Sequence, residues 1–262
     1  MCGICGYNGK QLSLDLILNM LGKLEPHVGG KGTGIVFRLD EQIRLLKCKG
    51  NLKEFREKFD ESNELIEIKN NGYLGIAHTR HPSSSFFLNE ERFSHPLYDC
   101  NRKLALVHNG SLDSDKLYQD SRQMFDGHTF ATEKQGKILD SELLIHMIEH
   151  FHAKGDSLPD AIKNTFSIAK TYGKLKGFGM FAVISNKEEN IYIAYGPHEE
   201  NSLEIKRYDD GFYFHTVNDK LNKDIVKTGE ETSGWDPCNR NQIIVIEKDR
   251  VKFYKLEMRK LV

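Results

Sequence analysis

The 262-residue sequence has no uninterrupted apolar run of about eighteen residues, the length a membrane-spanning helix needs, and no basic amino-terminal stretch leading into an apolar one. Neither a membrane role nor a cleaved leader is expected, and the cytoplasm is the expected compartment. An excess of charge of one sign is also missing. Thirty-seven basic residues stand against thirty-eight acidic ones, for a formal net charge of −1, so no global field draws the chain to nucleic acid or an anionic surface. Cysteine is sparse: Cys2, Cys5, Cys48, Cys100 and Cys238 form an odd, scattered set that suits reduced thiols better than a disulfide framework. No repeat, low-complexity tract or linker marks a boundary, and residues 1–262 are read as one domain. With 39% hydrophobic residues, that domain has ample core material.

What is present is a series of short elements. Residues 3–8 read as a strand. Leu14, Leu16, Ile17, Leu18, Met20, Leu21 and Leu24 follow helical spacing behind Ser13 as N-cap. Residues 35–39 and 42–48 read as a strand hairpin and 51–68 as one or two amphipathic helices. Further strands are expected over 72–80 and 104–108, and helices over 115–123, 140–152 and 158–172. The last third contains six strand-like runs, at 177–185, 190–195, 203–208, 211–217, 241–247 and 250–256. Helices grouped apart from mainly antiparallel strands indicate an α+β layered architecture. The loop Gly29-Gly30-Lys31-Gly32-Thr33-Gly34 invites a phosphate-binding reading, but it lacks the spacing of a P-loop.

Chemistry gathers at strand ends. Cys2 follows the initiator methionine, so removal of Met1 would place a thiol and a free α-amine on one residue. An α-amine, with a reference pKa of about 7.7–8.0, can take a proton from the thiol or relay one through water. After Gly75 a strand delivers His78-Thr79-Arg80-His81-Pro82-Ser83, and a guanidinium buried at that end needs an anionic partner. The apolar run 104–107 leads into His108-Asn109-Gly110, whose side-chain amide and open N–H offer two oxyanion donors. Asp140-Ser141-Glu142 opens a helix, where a carboxylate is favoured by the dipole and able to face a ligand ammonium. Each piece has a plainer explanation. Cys2 alone reads as a small buried hydrophobe, Asn109-Gly110 as a type I′ hairpin turn, Asp140 as an N-cap, and Arg80 as the partner of a structural acid.

In order and spacing, Met1-Cys2-Gly3-Ile4-Cys5-Gly6, Gly75-Ile76-Ala77-His78-Thr79-Arg80, His95-Pro96, Ala105 to Gly110 and Asp140-Ser141-Glu142 resemble the motifs of class II glutamine amidotransferases. Residues 178–184 and 191–194 resemble that family's later strand pair. The resemblance implies a four-layer αββα sandwich of two mainly antiparallel sheets, of the amino-terminal-nucleophile hydrolase type. It makes Cys2 the nucleophile on the side-chain amide of glutamine, Asn109 and Gly110 the oxyanion donors, Arg80 the α-carboxylate ligand and Asp140 the α-ammonium ligand. Ser83 and His95 match pocket positions of some members. His81 stands where an aromatic residue is common, and His27-Val28-Gly29 departs from the family's usual His-Arg-Gly. A γ-glutamyl thioester would form and water would release glutamate, with no metal or organic cofactor implied. The sequence leaves no length for an acceptor domain, so ammonia is expected to pass to a separate synthase subunit. The alternatives are a stand-alone hydrolase of another γ-glutamyl compound and a non-catalytic glutamine sensor or scaffold.

A different class of reading starts from Cys2-x-x-Cys5 as half of a zinc or redox site. Cys48, Cys100 and Cys238 are too dispersed in sequence to read as its second pair, although scattered ligands can converge in space. His146, His150 and His152 on one predicted helix read as solvated or capping residues.

Overall fold

The computed structural model describes residues 2–10, 14–82, 84–88, 90–173, 179–197, 202–208, 210–217 and 235–256. The leading strand, β1 (Gly3–Gly9), lies near the middle of a sheet. The strands that join it are β2 (Thr33–Leu39), β3 (Gln42–Cys48), β4 (Leu74–Thr79), β9 (Ser202–Tyr208), β10 (Gly211–Val217) and β11 (Trp235–Pro237). Their order is β11-β9-β10-β1-β4-β2-β3, and every pairing is antiparallel. A second antiparallel sheet comprises β5 (Leu97–Tyr98), β6 (Leu104–Asn109), β7 (Met180–Ser185), β8 (Ile191–Tyr195), β12 (Gln242–Ile246) and β13 (Val251–Lys255), in the order β13-β12-β8-β7-β6-β5.

Side-chain alternation along the strands generates three apolar layers. Odd positions of β1 (Cys5 and Tyr7) and of β4 (Ala77) face α1 (Leu14–Leu24), α2 (Leu52–Phe59) and α3 (Asn63–Asn71). Even positions (Ile4, Ile76) meet Ala105 and Val107 of β6 and Ala182 and Ile184 of β7 between the sheets. The other face of β6, through Leu104 and Leu106, packs on α5 (Asp140–Ala153) and α6 (Leu158–Ala169), and α4 (Ser114–Asp120) contributes Leu117. The architecture is therefore the expected four-layer αββα sandwich. Helix starts are fixed by side chains: Asn51 and Glu54 form a reciprocal capping box on α2, and Ser62 and Ser157 cap α3 and α6. Ser13, read as the cap of α1, lies outside the described residues.

Two of the plainer readings do not hold. Asn109-Gly110 is not a hairpin turn. Asn109 ends β6, whose sheet neighbours are β5 and β7, and the chain runs on through α4, α5 and α6 before β7. His146 is not a solvated helix residue but 1% exposed, on the inner side of α5. Among the described residues no helix is long and apolar enough to cross a membrane.

Candidate active site

The same alternation that builds the core sets the site. Register pairs Gly3 with Thr79, so one step further Cys2 and Arg80 leave adjacent strands side by side. Cys2 shares the parity of Ile4, Arg80 that of Ile76 and His78, and Asn109 that of Ala105 and Val107. All three side chains therefore belong to the gap between the sheets, at one open end. His108 has the opposite parity and faces α5, where its Nδ1 lies 2.9 Å from Ser141 Oγ. The sheets are tied together at this level, with His78 Nε2 3.1 Å from the His108 carbonyl oxygen.

Cys2 is buried, and its backbone nitrogen donates to Asn109 Oδ1 at 2.8 Å. That bond fixes which end of the carboxamide is the acceptor and turns Nδ2, the donor end, away from the Cys2 nitrogen. The His81 N–H points at Cys2 Sγ, 3.3 Å away, and the Sγ lies 3.6 Å from the His81 carbonyl oxygen. The His81 backbone thus forms one wall of the thiol's surroundings while its side chain is exposed. Cys5, three residues along the same strand, faces the helical layer instead. Its thiol donates to the Ile17 carbonyl, and burial alone pushes its pKa far up. The two cysteines cannot act as a pair, which removes the Cys-x-x-Cys reading.

Arg80 is only 5% exposed, and its Nη1 donates to the Phe87 carbonyl oxygen at 2.8 Å. It forms no ion pair with any described carboxylate. Burial depresses its pKa, and the nearby Cys2 and Asp140 oppose that shift. Asp140 is the first residue of α5, and its carboxylate accepts from the Leu112 N–H at 2.9 Å and the Ser141 N–H at 2.8 Å. It too forms no ion pair among the described residues. Arg80 and Asp140 are thus a buried cation and a carboxylate that feel each other electrostatically and, among the described residues, hydrogen-bond only to neutral groups.

Loops hold this arrangement. Gly29, at φ +103°, passes so close to β4 that a Cβ would lie 2.2 Å from Thr79 Oγ1. The Gly30 and Lys31 N–H groups donate to Thr79 Oγ1 and the Arg80 carbonyl, and the Arg80 N–H donates to the Gly32 carbonyl. Two N–H groups of the glycine loop are thereby taken up by β4, which explains the glycines without a phosphate.

His95 is buried and packs edge-on against His78, ring centroids 4.4 Å apart. Burial holds His78 near a pKa of about 3 and His95 well below its usual range, so both rings are neutral around pH 7. Both ring nitrogens of His95 lack hydrogen-bond partners. Ser83 lies outside the described residues.

Two contributors were not read from sequence. Gly179, at φ +78°, approaches so closely that a Cβ would sit 1.9 Å from the Asn109 carbonyl oxygen and 2.7 Å from Gly110 Cα. Its own carbonyl accepts from the Gly196 N–H. It is the backbone brace of the Asn109-Gly110 turn, and a glycine directly before an apolar strand was the available signal. Lys47 Nζ donates to the carbonyls of Arg92, Ser94 and Pro96, tying down the segment that carries His95, and burial lowers its pKa to about 8.

No protein-family model matches the chain. The isomerizing glutamine–fructose-6-phosphate aminotransferase of Clostridium tetani is 28% identical over 262 residues, covering 98% of this chain and 37% of the relative. The chain thus spans well under half the length of the curated relatives it matches. Among solved structures, the glutamine phosphoribosylpyrophosphate amidotransferase of B. subtilis superposes with a TM-score of 0.72 at 23% identity. It covers 98% of this chain and 50% of that one. A glutamine aminotransferase class-II domain protein from silicibacter pomeroyi gives 0.58 at 14% identity and matches at nearly full length on both sides, 97% and 99%. Over almost its whole length the chain is thus similar in sequence to glutamine–fructose-6-phosphate aminotransferases, and it shares the fold of amino-terminal-nucleophile glutamine amidotransferase domains.

Proposed function

We propose that this domain hydrolyses the side-chain amide of glutamine to glutamate and ammonia, with Cys2 as nucleophile. The observation that carries the reading is a pair of oppositely charged groups, Arg80 and Asp140, that have no ion-pair partner among the described residues and lie within electrostatic reach of each other, with Cys2 also near Arg80. An α-amino acid presents a carboxylate and an ammonium on one carbon, which is the complement of that pair. Removal of Met1 leaves an α-amine on Cys2, already oriented by Asn109 Oδ1.

In the proposed reaction the Cys2 sulfur attacks the amide carbon, and the α-amine takes the thiol proton and later returns it to the departing nitrogen. The tetrahedral oxyanion is received by Asn109 Nδ2 and the Gly110 N–H, a stabilisation whose loss typically costs about 10²–10³ in turnover. Ammonia leaves, a γ-glutamyl thioester remains, and water, activated by the same amine, releases glutamate. His95 and Ser83 are proposed to shape the glutamine pocket, and His81 to line it through its backbone. We further propose that residues 1–262 act as one glutaminase domain in the cytoplasm and that a synthase domain or subunit receives the ammonia.

The direct test is ammonia release from glutamine by wild type and by Cys2→Ala. Release abolished in the variant, with unchanged circular dichroism, supports the reading. Equal release from both defeats it. Turnover of other γ-glutamyl amides in preference to glutamine would favour the hydrolase alternative, with the same machinery.

A further inference from the structure

Away from this site, four potential metal ligands converge from three separate segments. Cys100 comes from the turn between β5 and β6, His128 from the connection between α4 and α5, and His146 and Glu149 from one face of α5. None of the four has a part in the proposed amide chemistry. We infer that Cys100, His128, His146 and Glu149 form a binding site for a single divalent ion of the zinc class.

The geometry is that of a coordination shell. Metal–ligand bonds of about 2.0–2.3 Å at tetrahedral angles put donor atoms roughly 3.3–3.8 Å apart. Cys100 Sγ lies 3.4 Å from His128 Nδ1 and 3.6 Å from His146 Nδ1. The two Nδ1 atoms are 3.1 Å apart, and each is 3.0 Å from Glu149 Oε2. The sixth edge, Cys100 Sγ to the Glu149 carboxylate, is within 4.8 Å. Five of the six edges are therefore at or slightly below tetrahedral length, and the sixth is bounded at 4.8 Å.

Hydrogen bonding alone does not account for the convergence. Each Nδ1 carries either one proton or one lone pair, yet each faces the other Nδ1, the sulfur and the carboxylate oxygen. If both nitrogens are protonated they repel each other. If one is not, its lone pair confronts the carboxylate. A cation at the centre turns every lone pair into a ligand and removes the conflict.

The surroundings fit a metal as well. His146 Nε2 faces the Glu142 carboxylate at 3.9 Å, beyond hydrogen-bond length, and a carboxylate on that side of a ligating imidazole raises its basicity. Glu142 is itself held by the N–H groups of Ala131 and Thr132 and by the Thr132 hydroxyl. The second Glu149 oxygen accepts from Asn101 Nδ2 at 3.0 Å. Cys100 is exposed and opens on a surface depression shared with Asp99, Arg102 and Thr129, which gives an ion its entry. The donor set of one thiolate, two imidazoles and one carboxylate suits zinc rather than calcium or magnesium. Four protein ligands leave no open position, so the role is structural: the ion clamps two loops to α5, the helix whose first residue is Asp140. Binding releases the thiol proton of Cys100 to solvent.

The test is metal content of the full chain. Protein stripped with a chelator, dialysed against zinc and desalted should retain about one zinc per chain. Cys2→Ser should retain the same amount, and Cys100→Ser and His128→Ala should each lose at least about 90% of it, with unchanged far-UV circular dichroism. Cobalt(II) loading provides a second readout: a thiolate charge-transfer band and strong tetrahedral d–d absorption in wild type, the charge-transfer band absent in Cys100→Ser. Wild type retaining under about a tenth of an equivalent overturns the proposal. So does zinc that survives both loop variants, or zinc lost in Cys2→Ser instead, which would place the ion at the other thiol.

Discussion

The Cys2 nitrogen and Asn109 Oδ1 lie 2.8 Å apart although the two residues are 107 positions apart in the chain. One bond joins the residue that leads into β1 of one sheet to the end of β6 in the other, and it sets which end of the Asn109 carboxamide is the acceptor. Oδ1 accepts from the Cys2 nitrogen, and Nδ2, the donor end, is the group proposed to meet an oxyanion.

Asn109→Asp keeps the acceptor and deletes the donor. It should lower kcat on glutamine by about 10²–10³ with KM within a few-fold of wild type. Steady-state ammonia assays decide it, and a variant of near-normal kcat would remove Nδ2 from the mechanism.

Arg80 lies buried, and among the described residues no carboxylate pairs with it. Arg80→Lys replaces a planar fork by a point charge, so KM for glutamine should rise at least about tenfold while kcat changes less. An unaltered KM would show that the guanidinium does not hold substrate.

Gly179→Ala forces a side chain into left-handed backbone, at roughly 1–2 kcal/mol, and drives its Cβ against the Asn109 carbonyl. Both the denaturation midpoint and kcat should fall. A stable variant with full kcat would show that this backbone contact does not set the oxyanion turn.

His78 is held neutral in the fold to a pKa of about 3, and His95 is depressed in the same direction, both by burial. In the unfolded chain both titrate near 6.5. Between about pH 6.5 and 3 the unfolded state binds more protons, so stability should fall on acidification, by up to about 1.4 kcal/mol per pH unit for each ring. Denaturant unfolding at a series of pH values measures the slope. His95→Phe should flatten it, and an unchanged slope would mean that His95 is protonated in the native state.

Much of this was legible in the sequence because the site residues sit at strand ends. Apolar runs that stop at Arg80 and at Asn109-Gly110 announce where β4 and β6 leave the core; both faces of these strands are buried, so only the structure shows that the Ile76 and Val107 faces, which carry Arg80 and Asn109, are the inter-sheet ones. Asn109-Gly110 taken alone suggests a hairpin turn because turn propensity is local, whereas the strand that pairs with β6 on that side arrives 71 positions later, at Met180. The edge strands at Leu97–Tyr98 and Trp235–Pro237 are two and three residues long, too short for any periodicity to register. Cys100, His128, His146 and Glu149 meet only in space, and the single local hint was the i, i+3 spacing of His146 and Glu149 on one helix face. Gly179 carries no side chain to announce that another strand passes within contact of it.

The central claim is that Cys2 attacks the γ-carbonyl of a glutamine-like substrate. Incubation with 6-diazo-5-oxo-norleucine, a glutamine analogue that alkylates such a nucleophile, followed by peptide fragmentation mass spectrometry, tests it most directly. The account predicts one adduct, on the sulfur of Cys2 in a peptide that has lost Met1, formed in step with loss of ammonia release. An adduct on Cys5 or any other thiol, or full inactivation with Cys2 unmodified, would contradict it.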